Sequence, residues 1–223
     1  CGFDDVVEVA KGANMTTSNE AQEWKERVEE NGEPFMTTSC CPSYKLWAEK
    51  YMPELVPYIS HTATPASYTA KLVKEQNPDA ITVFISPCVA KRVEGIEDHN
   101  IDYVMTFEEV DAMMRAKGII VEDSTGYIPD STIDMNGRMY AKSGGVASSV
   151  VKYLGNPSGL KTEVINGINR ESIKILKTKA TTGKSDSNLV EVMMCEGGCV
   201  NGCVVLANPK VALRQLNTLE KNS

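Results

Sequence analysis

The sequence predicts an α/β fold, and three observations predict it. Short β-rich runs alternate with amphipathic helical stretches. The 223 residues, 42% of them hydrophobic, suffice for one large domain or two small lobes sharing a cleft. Cysteines follow two of the predicted strands, and open α/β sheets bind their ligands at strand ends.

The elements follow in chain order. Thr17-Ser18-Asn19-Glu20 reads as a capping box, and Ala21, Trp24 and Val28 then recur at helical spacing up to Asn31-Gly32. A second helix follows Pro42 and stops before Pro53. A third runs from Pro65 to Gln76, with Asn77-Pro78 as its stop. Ala80 to Ser86 is an apolar, β-branched strand that delivers Pro87-Cys88 at its end. Ile101 to Met105 is a second strand, and Thr106 to Glu109 repeats the capping-box pattern before a helix. Ser143-Gly144-Gly145-Val146 is a glycine turn opening a helix through Tyr153. Asn188 to Met194 is a strand that empties into the last cysteine group. Asn208-Pro209 caps and starts a C-terminal helix. Thr181 to Ser187 is the one markedly polar, linker-like stretch, and there is no internal repeat.

Composition narrows the function. A net charge of −7 argues against nucleic acid or an anionic membrane as the main partner. No apolar run approaches the roughly 20 residues that span a bilayer, and no signal peptide opens the chain, so a cytoplasmic protein is expected. The chain begins at Cys1, so residues upstream are expected to be missing.

Seven cysteines are placed too unevenly for a disulfide framework. Cys40 and Cys41 are adjacent, Cys1 and Cys88 stand alone, and Cys195, Cys199 and Cys203 lie four apart. In a reducing compartment this pattern reads as soft-metal ligation or thiol chemistry. The two histidines, His61 and His99, neighbour no cysteine and read as surface or loop residues, so a zinc finger fits poorly.

Three segments carry the chemistry: Thr38-Ser39-Cys40-Cys41-Pro42, Ser86-Pro87-Cys88-Val89-Ala90-Lys91 and Met193-Met194-Cys195-Glu196-Gly197-Gly198-Cys199. A cubane iron–sulfur cluster needs four converging thiolates, often with glycines that let backbone approach. A Cys-x-x-x-Cys pair alone is weak. Together the segments resemble the three motifs of the iron-only ([FeFe]) hydrogenase catalytic domain, over about residues 2–214.

That resemblance implies reversible oxidation of dihydrogen and reduction of protons. The implied cofactor is a [4Fe-4S] cluster joined to a two-iron subcluster with CO, CN⁻ and a bridging dithiolate. It implies Cys41, Cys88, Cys195 and Cys199 as cluster ligands, with Cys199 as the bridge. Lys91 corresponds to a lysine that binds a cyanide ligand, and Pro87, Met193 and Tyr140 to residues lining the two-iron unit. Cys40 corresponds to a proton-relay thiol, with Glu20, Glu23 and Ser60 behind it. Glu20 and Glu23, three apart, would share one helix face. The implied partners are a ferredoxin-like electron-carrier domain or protein and hydrogenase maturation proteins. The implied architecture is two lobes with short parallel sheets flanked by helices and the cluster in the cleft between them. The whole chain, 1–223, would be one N-terminally incomplete catalytic domain, lacking a covering strand and loop and the ferredoxin-like cysteine runs.

Plainer readings stand beside these. Glu20 is also the far residue of the capping box, Glu23 alone is a solvated helix face, and Ser60 could cap the segment after it. Lys91 by itself is a surface lysine, and Met193 and Tyr140 are ordinary core types. Cys1 and Cys203 read as structural or incidental thiols. The sequence departs from the best-known catalytic members at Ser86 (methionine there), Ala66 (glutamine) and Gly202-Cys203-Val204 (three glycines). A second functional class remains open: a non-catalytic iron–sulfur assembly or redox-sensing protein holding a cubane without the two-iron unit.

Overall fold

The computed structural model describes residues 1–126, 130 and 132–221. In order, the elements are α1 (Ala10–Trp24), β1 (Met36–Thr37), α2 (Pro42–Tyr51), α3 (Pro65–Gln76), β2 (Val83–Ser86), α4 (Lys91–Glu97) and β3 (Tyr103–Thr106). Then come α5 (Phe107–Ala116), α6 (Met135–Met139), α7 (Gly145–Tyr153), β4 (Thr162–Asn166), α8 (Arg170–Thr182), β5 (Leu189–Met193) and α9 (Pro209–Lys221). Two parallel sheets result. One has strand order β1-β5-β4, and the other pairs β2 with β3. This is the expected α/β architecture of short parallel sheets flanked by helices.

Strand β5 is the spine of the larger sheet. All five of its residues are buried, as a central strand covered on both faces requires. Val190 and Val192 face Phe35, Tyr44, Leu55 and Leu176 beneath α2 and α8. Leu189 turns the other way, onto Ala21, Trp24 and Val150, and Met193 packs on Ala13, Tyr140 and Val146. Helix α3 reaches the second sheet, where Ala66 and Ala70 meet Ile101, with Phe84 and Val104 against them. Helices α1 and α3 touch through Gly12, where an added Cβ would lie 2.2 Å from the Pro65 carbonyl oxygen.

Several local expectations hold. Pro42 and Pro65 occupy the first turns of α2 and α3, and Thr64 accepts a hydrogen bond from the Ser67 amide as the α3 cap. Thr106 and Glu109 form both halves of a capping box. Gly144, at φ 87°, opens α7 in a conformation that favours glycine.

Two expectations are corrected. The Thr17 box is not a helix start, because α1 already begins at Ala10. Thr17 Oγ1 instead donates back to the Ala13 carbonyl, a bond available to threonine inside a helix. The helix does end near Asn31-Gly32, through a π-helical turn at Lys25–Glu30. Nor is 181–187 a linker. Helix α8 runs to Thr182, Gly183 ends it at φ 61°, and the buried Lys179 then gathers Ser185, Ser187 and Glu163.

Candidate metal centre

Each cysteine segment follows a strand. Cys41 is the cap residue at the start of α2, just past β1. Pro87-Cys88 leaves the end of β2, and Lys91 opens α4. Cys195 and Cys199 follow β5, in a loop that turns through Gly197 (φ 85°) and Gly198 (φ 88°). Cys40, Cys41, Cys88, Cys195 and Cys199 all line one cavity of about 540 Å³, together with Lys91, Pro87, Tyr140 and Met193. Ala66 and Ser86 line it too, and the Ser86 hydroxyl accepts from the Cys88 amide at 3.1 Å.

The thiols influence one another. Burial pushes Cys199 up to about 12, with charge on Cys41, Cys88 and Cys195 adding to the rise and Lys91 opposing it. Burial also raises Cys41 and Cys195. Cys199 is exposed yet surrounded by protein, as befits the wall of an open cavity. Among the described residues, no three Cys, His, Asp or Glu side chains stand close enough to share a single metal ion. A cubane spreads its ligands over four corners, so a ring of thiols around a larger volume is what it requires. The donor set and the cavity therefore fit a four-iron cluster better than one ion. Cys203 and Cys1 are exposed and lie outside the cavity lining.

Lys91 sits at the cavity wall with its Nζ 2.6 Å from Glu94 Oε2 and 3.4 Å from the Cys40 carbonyl oxygen. Glu94 Oε1 accepts from the Thr64 hydroxyl. The cation is thus aimed and charge-balanced in a largely desolvated place, since both side chains are only 12–14% exposed.

Behind Cys40 runs a line of exchangeable groups. Burial holds the Cys40 thiol well above its ordinary pKa, with Glu20 the next cause. Glu20 is fully buried, and desolvation pushes its carboxyl up to about 8. Its Oε1 accepts from the Ser39 amide at 3.0 Å, while its Oε2 has no hydrogen-bond partner. An acid poised near neutrality with one unpaired oxygen can exchange a proton. Ser60 lies close enough to lower the Glu20 pKa and donates to Glu23 Oε2 at 2.6 Å. Burial pushes Glu23 up, but bonds from Ser60, the His61 amide, Arg27 and Thr62 outweigh it and leave the carboxyl below its usual value. Ser60 and His61 line a second surface groove of about 550 Å³, so the line ends at solvent.

The structure thus gathers nine of the expected site residues around one cavity and sets Glu20, Ser60 and Glu23 behind Cys40. Glu20 lies inside α1 rather than at its start, and Glu23 is largely buried against Arg27, Ser60 and Thr62. Ser60 does accept from the Thr62 amide as well as serving Glu23. Sequence reasoning missed Arg27, Glu94 and Glu191. Arg27 binds Glu23, Glu33 and the carbonyls of Pro57 and Ile59; its i,i+4 spacing from Glu23 was a signal the sequence offered, whereas nothing in it points to the two carbonyls. Glu191 could have been found, as the one acid in the apolar run 188–194.

Known proteins resemble this chain in sequence and in fold. Iron hydrogenase 1 of Clostridium pasteurianum is 29% identical over 90% of this chain and 43% of its own length. The periplasmic [Fe] hydrogenase large subunit of Nitratidesulfovibrio vulgaris is 26% identical over 90% of this chain and 59% of its own. The chain spans about half the length of these curated relatives. The cytosolic Fe-S cluster assembly factor NAR1 of Kluyveromyces lactis is 33% identical over 49% of this chain and 24% of its own. An [FeFe]-hydrogenase from Chlamydomonas reinhardtii superposes with a TM-score of 0.69 at 21% identity, over 98% of this chain and 74% of that one. Among the described residues, no helix is long and apolar enough to cross a membrane. Residues 1–203 match the family described as iron only hydrogenase large subunit, C-terminal domain, and the chain belongs to that family.

Proposed function

We propose that this chain is the catalytic part of an iron-only hydrogenase, which reversibly oxidises dihydrogen and reduces protons. One observation carries the reading: Cys40 lines the cavity beside Cys41, and behind it lies a fully buried carboxyl, Glu20, one of whose oxygens has no hydrogen-bond partner. Holding a cluster calls for Cys41; only moving a proton calls for Cys40 and Glu20.

In this reading Cys41, Cys88, Cys195 and Cys199 would hold a [4Fe-4S] cluster, and the cavity beside Cys199 would take a two-iron unit bearing CO, CN⁻ and a dithiolate. The cofactor would supply the redox chemistry and the place where dihydrogen binds. The chain's own residues do the rest. Lys91, paired with Glu94 at 2.6 Å, would meet an anionic ligand such as cyanide through Nζ. Met193, Tyr140 and Pro87 wall the apolar side, and the Tyr140 hydroxyl is fixed by Thr17 at 2.9 Å. Cys40 takes or gives the proton, Glu20 exchanges it, and Ser60 and Glu23 connect to the groove. Glu23, ionised and bound by Arg27, serves better as an anchor for Ser60 and Thr62 than as a strong base. Electrons would pass to a ferredoxin-like carrier, and maturation proteins would install the cofactor. A cytoplasmic, anaerobic setting is part of this reading, and the relatives include both a periplasmic hydrogenase and a cytosolic assembly factor.

A second reading is an iron–sulfur assembly or redox-sensing protein, favoured by the partial similarity to NAR1. A cubane alone has no use for Lys91, Met193 or Cys40. Infrared spectroscopy of the anaerobically matured full-length protein separates the two. Metal-bound CO and CN⁻ bands support the hydrogenase. An intact cubane with no such bands, under conditions that mature a known hydrogenase, overturns it in favour of the second reading.

A further inference from the structure

Glu191 is the most buried acid the proposed chemistry leaves unused. It lies in the middle of β5, at 0% exposure, four residues before Cys195. Both carboxylate oxygens are engaged by backbone: Oε1 accepts from the Gly144 amide at 2.7 Å and Oε2 from the Ala147 amide at 2.8 Å. These amides belong to the first turn of α7, whose own cap residue, Gly144, has no side chain to offer. A carboxylate there satisfies orphan N–H groups and meets the positive end of the helix dipole. Burial pushes the Glu191 carboxyl up and the amide bonds oppose that rise, but with both oxygens engaged its place is to tie β5 to the start of α7.

What it holds matters, because the turn just before α7 grips the cysteine loop. The Ser143 amide donates to the Gly197 carbonyl at 3.1 Å, and the Val200 amide to the Ala141 carbonyl at 3.0 Å. Between them Gly198 lies so close that an added Cβ would stand 2.6 Å from the Ser143 nitrogen and 2.8 Å from the Lys142 carbonyl carbon. On the far side the Gly197 amide donates to Asn166 Oδ1 at 2.6 Å. A closed circuit results: β5 leads into the loop, the loop is bonded to the 141–143 turn, and that turn is tied back to β5 by Glu191.

We propose that Glu191 is a positioning residue that pre-forms the Cys195–Cys199 loop before any metal binds, acting through the start of α7. The circuit itself depends only on protein contacts. Its benefit for cluster binding rests on the ligand assignment of Cys195 and Cys199.

The test is amide hydrogen exchange of the metal-free protein with Glu191→Gln, which keeps the shape but sets an NH₂ donor against N–H donors. Exchange should quicken by about tenfold or more at Gly144, Ala147, Ser143 and Val200, the scale of losing a helix cap, while α3 amides stay unchanged. Quickening at Gly144 and Ala147 with Val200 unmoved would reduce Glu191 to an ordinary cap and overturn the proposal. Should the variant not fold, native-state exchange of the unaltered protein decides instead: Gly144, Ala147 and Val200 must open together, and independent opening of Val200 overturns it. Chemical reconstitution then reads the consequence. At equal folded fraction, Glu191→Gln should take up iron several-fold more slowly and broaden the electron paramagnetic resonance of the reduced cubane; a merely less stable protein would keep the parent line shape, and that result overturns the positioning role. Failure of the unaltered protein to take up iron would instead sink the ligand assignment, leaving the exchange result to judge the circuit.

Discussion

Cys40 and Cys41 share a backbone step and part company in their surroundings. Cys41 faces Cys88 and Lys91 across the cavity, whereas Cys40 has Glu20 behind it. Replacing Cys40 by alanine should therefore keep the metal–CO infrared bands while turnover falls about 10²–10⁴-fold, the usual worth of a positioned acid–base group. Parent-like hydrogen evolution would end the relay assignment. Glu20 carries a prediction that needs no cofactor. Well below pH 4.5 the folded and unfolded chains both hold its proton, so no charge is buried. As pH rises from 4.5 towards about 8, the unfolded chain ionises first, so stability drains away, and above about 8 the full cost applies. Glu20→Gln should thus raise the melting temperature of the metal-free protein at pH 8–9 and lose that advantage near pH 4.5. An equal gain at both pH values would show that charge is not the cause. The cysteines were legible as soft-metal ligands by type, and Lys91 only through the resemblance of its segment to the hydrogenase motifs. Arg27 was legible only toward Glu23, one helical turn before it; the Pro57 and Ile59 carbonyls lie 30 and 32 positions on and follow from packing alone.

Among the elements, the helices bounded by proline and the Thr106 box were legible because those residues act locally. Thr17 misled because Thr-x-x-Glu looks the same inside a helix as at its start; only Ala10 to Thr16, which adopt the helix before it, tell the two apart. Strands β1 and β4 and helix α8 gave no expectation at all. Two residues of β1 have no readable period, and β4 is exposed along one side. Gly12 offers a check on how α1 and α3 meet. Its Cβ position is filled by Pro65 O and Thr69 Oγ1, and its amide donates to Thr69. Gly12→Ala, although a better helix former, should destabilise the protein by about 1–3 kcal/mol in urea denaturation, the cost of overpacking. A stabilised variant would mean that the helices separate easily.

For the whole molecule, class and cysteine convergence could be read from the chain, but strand order could not, because parallel pairing of β1 and β5 joins residues 153 positions apart, Met36 with Leu189. Replacing Cys41, Cys88 or Cys195 by alanine should abolish stable iron–sulfur incorporation, whereas Cys203→Ala should leave iron content largely unchanged. Equal loss with Cys203→Ala would rewrite the ligand set. The division of the sheets adds a mechanical consequence. Three of the four thiols hang from the larger sheet, and Cys88 alone comes from the pair β2–β3. An inorganic cluster seated among them would be a cross-link closing a loop of about a hundred residues, and such closures are worth on the order of 4–5 kcal/mol for a disulfide. Metal-free protein should then melt in two calorimetric steps, the β2–β3 lobe first, and iron-loaded protein in one step at higher temperature. A lower transition that persists after loading would mean that Cys88 does not carry the strain between the lobes.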